Sequence, residues 1–86
     1  MLIKTDGTLK YVEPRNGEHF ELDELRSFVE GYIELLNLGD RFMVVNEEGK
    51  LLGKPVNDFA TLEAQNAGIN DIIVGDVLIC KMDKIR

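Results

Sequence analysis

Gly31 lies between a segment with the period of a helix and a segment with the period of a strand, and this junction restricts the chain more than any other feature. Upstream, Leu22, Leu25, Phe28 and Val29 fall at i, i+3, i+6 and i+7, which is one face of a helix. Glu21, Asp23, Glu24, Arg26 and Ser27 take the other side. A glycine just past the last periodic residue adopts the left-handed conformation that closes a helix without steric cost. Tyr32 to Leu36 can then extend as a buried strand, and the remaining residues have to cover this unit.

Residues 1–86 are expected to form one domain, because a chain this short buries only about 60–65% of its unfolded surface and has no material for a second core. With 44% apolar and 30% charged residues it has the balance of a folded domain rather than a disordered one. No apolar run reaches the roughly 18 residues of a membrane span, and Met1 to Asp6 lacks the apolar stretch of a signal peptide, so a cytoplasmic location is expected. The single cysteine, Cys80, alternates onto a face with Leu78 and Met82 and reads as a small buried thiol.

The net charge of −6 is unevenly spread: residues 11–49 hold ten acids against three bases, and the remainder is near neutral. Such a surface repels phosphate backbones and anionic lipid heads, which argues against direct nucleic-acid or membrane binding. An acidic face centred on Asp23, Glu24 and Glu30 instead suits a basic protein partner.

Along the chain, Asp6-Gly7 between two β-prone runs predicts a two-residue hairpin with strands near 2–5 and 8–13, Thr5 opposite Thr8 and Ile3 opposite Lys10, at the edge of a sheet. Pro14 to Glu18 reads as a turn; Phe20 is placed to staple against Leu25, and Glu24 to complete a capping box with Glu21, a weak cap. Arg41 to Val45 is apolar on both faces, the mark of a strand in the middle of a sheet. Asn46 to Gly49 reads as a type I turn into a return strand, Lys50 to Gly53, with position 49 at positive φ. Asn57 is a good N-cap for a helix Asp58 to Asn66 whose inner face is Phe59 and Leu62, with Gly68 as terminator. Ile72 to Met82, broken at Gly75-Asp76, forms the last strand, followed by a loose charged tail.

Catalytic apparatus is sparse. One serine (Ser27), one histidine (His19) and one cysteine sit on unrelated elements, which disfavours a hydrolase triad. No His or Cys pair has metal-ligand spacing, and Gly49 to Gly53 lacks the Gly-Lys-Ser/Thr step of a phosphate loop, so neither metal nor cofactor is expected. Tyr32, Glu34, Asn46 and Asn57 are polar groups near a core, and they either pin turns and strand ends or line a small polar pocket.

The pattern Val12-x-Pro14-x-Asn16-Gly17, Phe20-x-Leu22-x-Glu24-Leu25, Gly31 to Glu34, Val45 to Leu51, Pro55-x-Asn57-x-x-Ala60-Thr61 and Ile73 to Leu78 resembles a family catalogued as a domain of unknown function, number 3846. The likeness runs over nearly the whole chain. It implies no activity, substrate or site residue, only a context of accessory genes in phage and mobile elements of bacteria. Two departures stand out: Glu21 replaces a frequent threonine, and Glu30-Gly31 replaces a usual Gly-Gly.

These readings converge on an α+β domain with a mainly antiparallel sheet of five or six strands and one or two short helices. The expected function is non-enzymatic: an accessory protein engaging a basic partner through Asp23, Glu24 and Glu30, with a homo-oligomer as a further option for its partner. The alternative is a small polar ligand held near Tyr32, Glu34, Asn46 and Asn57. An enzyme using paired carboxylates rests on acid abundance alone.

Overall fold

Alternation along Arg41–Asn46 dictates the architecture. Met43 and Val45 point to one face and Val44 to the other, and all three are buried, so both faces of the sheet need a cover. The computed structural model, which describes residues 1–85, supplies a helix on each side. In chain order the elements are β1 (Leu2–Ile3), β2 (Leu9–Lys10), α1 (Leu22–Val29), β3 (Ile33–Asn37), β4 (Arg41–Asn46), α2 (Asp58–Asn66), β5 (Val77–Lys81) and a 3-10 turn, Met82–Lys84. The five strands run in the order β2-β1-β5-β4-β3 with every pairing antiparallel, an α+β fold.

Leu25 and Val29 of α1 join Phe20, Val44 and Leu78 on one face. On the other, Ala60 and Ala64 of α2 lie against Ile3, Met43, Val45, Val77 and Ile79. The inner face of α2 is therefore its two alanines, both fully buried, while Phe59 and Leu62, expected to point inward, are 43% and 55% exposed. Alanine lets the helix axis approach the sheet closely, and the larger side chains are turned outward by the 100° step of the helix.

Several strands differ from the sequence expectation because pairing is decided by distant partners. The first hairpin has a three-residue loop: Gly7 N–H donates to Lys4 O, Lys4 N–H donates to Thr8 O, and Gly7 has φ +90°. This shifts the register by one, so Ile3 faces Leu9 and Leu2 faces Lys10, and only β2 lies at the edge. The strand after Gly31 is likewise not buried but forms the other edge, with Glu34 and Leu35 exposed. β4 returns along β3 around Gly39-Asp40, where Leu38 N–H donates to Arg41 O and Gly39 takes φ +105°.

Lys50 to Gly53 forms no return strand; residues 47–53 are successive turns closed by bonds such as Gly49 N–H to Asn46 O and Lys54 N–H to Gly49 O. Gly49 does not have positive φ. It is confined instead by space, since a Cβ there would lie 2.9 Å from Val74 Cγ2. Of Ile72 to Val74, only Val74 pairs, in an isolated bridge to Val56. The tail is not loose over 82–85, because Phe20 N–H donates to Lys84 O and Ile85 bridges to Phe20; Arg86 lies outside the described residues.

At the junction after α1, Glu30 and not Gly31 carries the left-handed conformation, at φ 62°. Gly31 is required for a different reason: a Cβ on it would stand 2.7 Å from Asn46 Nδ2. That amide donates to Val29 O at 3.0 Å and to Glu30 O at 3.4 Å, closing carbonyls that the end of the helix leaves open. Glu30→Gly is accordingly expected to raise stability by about 0.5–1 kcal/mol, by relieving left-handed strain. Gly31→Ala is expected to lower it by about 1–3 kcal/mol, by displacing the Asn46 amide. Chemical denaturation of the two variants checks the pair, and the opposite order would return the helix stop to Gly31.

Candidate functional site

The three acids expected to form a recognition face have different fates. The first turn of α1 starts at Glu21 with no serine or threonine to cap it, and Glu24 completes a capping box with Glu21 by accepting its N–H at 3.1 Å. Its other oxygen accepts the Arg15 backbone N–H at 3.0 Å, with Arg15 Nε 3.6 Å away, and the residue is only 6% exposed. These donors, the Glu21 N–H first, hold its carboxyl below the ordinary value against the opposing effects of burial and Asp23. Asp23 and Glu30 are exposed, but Asp23 receives Arg15 Nη2 at 2.6 Å and Glu30 lies 3.3 Å from Lys54 Nζ.

The four polar residues expected near a pocket are not brought together as its lining. Asn57 is buried and saturated: its amide donates to Ile3 O at 3.0 Å and Gly75 O at 2.9 Å, and its carbonyl accepts Ala60 N–H at 3.1 Å. Asn46, besides capping α1, accepts Glu48 N–H at 2.8 Å. Tyr32 is exposed beneath the Arg26 guanidinium, 4.6 Å from the ring centre. Only Glu34 lines a depression, a shallow one of about 150 Å³ shared with Leu36, Val45, Leu51 and Ile72 and rimmed by the Lys50–Asp71 pair.

A larger cavity, about 440 Å³, opens elsewhere, at the corner where β5 outruns β1. β1 pairs with Val77 and Leu78, and Ile79 N–H donates to Met1 O; beyond that point Cys80 and Lys81 face the opening. Ile3, Phe20 and Ile79 give it apolar walls. Tyr11, Glu13 and Pro14 of the segment after β2 close one side, Phe59 and Glu63 of α2 another, and Arg41, Lys81 and Lys84 stand around it. Arg41 Nη2 binds Glu63 at 2.7 Å, and the Tyr11 hydroxyl donates to Glu13 at 2.6 Å. Burial pushes the Cys80 thiol up, away from nucleophilic character. A second depression, about 460 Å³, lies beside α1, but its Arg15, Asp23 and Glu24 are already bound to one another.

Sequence reasoning missed this cavity because its lining comes from six separate segments, and the one local hint, Phe59, reads equally well as core. Among the described residues no group of three or more His, Cys, Asp or Glu is arranged to hold a metal ion, and no helix is long and apolar enough to cross a membrane. The Ser27 hydroxyl donates to Glu24 O at 2.7 Å, and the buried His19 Nε2 has no hydrogen-bond partner, so the two are not joined.

The fold and its corner cavity define a small α+β domain with an antiparallel sheet between two short helices. The chain belongs to the family described as a domain of unknown function, DUF3846, whose model matches residues 1–85. No curated protein and no solved structure matches it.

Asn57→Ala is expected to cost about 2–4 kcal/mol, since it removes a helix cap and leaves two buried carbonyls without a donor, and to lower the unfolding midpoint accordingly. Glu24→Gln should destabilise as well, whereas Asp23→Asn and Glu30→Gln should be nearly silent, because exposed pairs contribute little. The folded Glu24 carboxyl titrates below its ordinary 4.5, so its stabilisation is complete above that value and is lost as pH falls through the folded value. Midpoints measured against pH should decline less steeply on acidification for Glu24→Gln than for the wild type, and parallel curves would exclude this role.

Proposed function

We propose that this chain is a non-enzymatic binding domain that holds a small organic molecule in the corner cavity. The observation that carries the reading is the cavity itself: about 440 Å³, within the roughly 300–1,000 Å³ of ligand sites, with apolar walls and a few convergent polar groups. Binding is favoured over catalysis because Ser27 is committed to a backbone carbonyl and the Cys80 thiol is driven toward its neutral form. A small-ligand site is the alternative reading from sequence, and here its place moves from Tyr32, Glu34, Asn46 and Asn57 to the cavity beside Ile79 to Lys84.

The competing reading, an accessory protein that grips a basic partner through Asp23, Glu24 and Glu30, would have to displace Arg15 and Lys54 and to draw Glu24 out of its cap. Each exchange swaps one ion pair for another and yields little net affinity. A phage or mobile element is the context that the family resemblance implies, a cytoplasmic setting is the one expected from the sequence, and a metabolite-holding accessory domain suits both.

The test is a fragment screen on isotope-labelled protein, read by amide shifts. Perturbations gathered at Ile79, Cys80, Lys81 and Lys84 are the expected result. Titration with an arginine-rich peptide that instead moves the amides around Asp23 and Glu30, with no fragment reaching the corner, would transfer the function to the acidic face.

A further inference from the structure

The register between β4 and β5 places Arg41 directly opposite Lys81, on the face that also carries Met43 and Ile79. Like charges at directly opposed positions of an antiparallel pair destabilise the sheet. Arg41 is compensated, by Glu63 at 2.7 Å and by Asp40 at 3.6 Å. Lys81 is not, and neither is Lys84: among the described residues neither forms an ion pair. Both line the cavity. The site thus gathers three cationic side chains, beside the half-buried Met1 amino group that donates to Ile79 O, against two carboxylates, Glu13 and Glu63, each already bound to a neighbour, in a chain whose net charge is −6. A local surplus of positive charge inside an acidic protein, at the rim of an apolar recess, is what an anionic ligand would neutralise.

We infer that the cavity takes a small organic anion, a carboxylate on an apolar body, with the carboxylate at Lys81 and Lys84 and the body against Ile3, Phe20 and Ile79. The inference rests on the cavity being the binding site and adds the chemistry of what enters it. Two features of the recess set the ligand's shape. The apolar walls reward a ring or short chain, since buried apolar area supplies most of the affinity. The cationic edge rewards one anionic end, because Arg41 is held by Glu63 and the Met1 amino group by Ile79 O, which leaves the two lysines as the available cationic side chains.

Phenylbutyrate, its neutral amide and the corresponding amine share one body and differ in charge, and amide shifts give an affinity for each. Phenylbutyrate should bind at the corner at least tenfold more tightly than the amide, and the amine more weakly than either. Lys81→Gln with Lys84→Gln should remove that tenfold preference while leaving the affinity for the amide unchanged. The same variant, freed of the Arg41–Lys81 opposition, should have a higher thermal midpoint than the wild type without ligand, which also shows that it folds. Amide and carboxylate bound equally well would overturn the anion inference and leave the cavity as the site. If none of the three moves the amides of Ile79 to Lys84, both the inference and the proposed function fall.

Discussion

The Asn57 side chain is the constraint on which the remaining arrangement depends. It is about 1% exposed, and an amide at that depth is tolerated only when its donors and acceptor are all used. Here they are spent on Ile3 O in β1, Gly75 O ahead of β5 and Ala60 N–H in α2, while the backbone N–H of the same residue reaches Ile73 O. One residue therefore fixes the start of a helix against two neighbouring strands. Asn46 repeats the device on the opposite face, tying the end of α1 to the end of β4 and to the turn beyond it. With so little apolar area available in a chain of this size, directional bonds at the helix ends supply an order that packing alone does not.

Covering both faces of a five-stranded sheet with two helices of eight and nine residues leaves part of the sheet bare. α2 approaches closely through Ala60 and Ala64, which places Phe59 and Glu63 beyond the packed centre, and α1 sits over Val44 and Leu78. The corner near Ile79 to Lys81 lies past the end of β1, and α2 reaches it only through Phe59 and Glu63. The cavity follows from this economy of cover, and Tyr11 to Pro14 and Lys84 of the 3-10 turn stand at its sides. Charge follows the same geometry: the acids that crowd residues 11–49 are partly answered at short range by Arg15, Arg41 and Lys54, whereas among the described residues Lys81 and Lys84 form no ion pair.

Both helices, the Asn57 cap, the Phe20–Leu25 staple and the interior place of Arg41 to Val45 are legible in the sequence, because each is encoded within a few residues by a period, a cap or a two-faced apolar run. The α+β class followed from the same local signals. What they do not encode is which strand lies beside which. Tyr32 to Leu36 reads as buried from its composition and becomes an edge; Leu2-Ile3 reads as edge and is buried, because β5, some seventy residues on, pairs beside it. Gly31 reads as a helix stop, but its role is set by the approach of Asn46 from another strand.

The candidate site divides along the same line. Residue type and position marked Asn46 and Asn57 as polar groups near a core and Glu24 as half of a capping box, and the sequence by itself determined that any of them that is buried must be either satisfied or functional, since burial without a partner costs several kcal/mol. Only the tertiary structure decided that these three are satisfied, because their partners lie on other segments, up to 54 positions away for Asn57 and Ile3. It also decided where the cavity opens and that Lys81 faces Arg41, facts that depend on strand order and register and that no local pattern in the chain records.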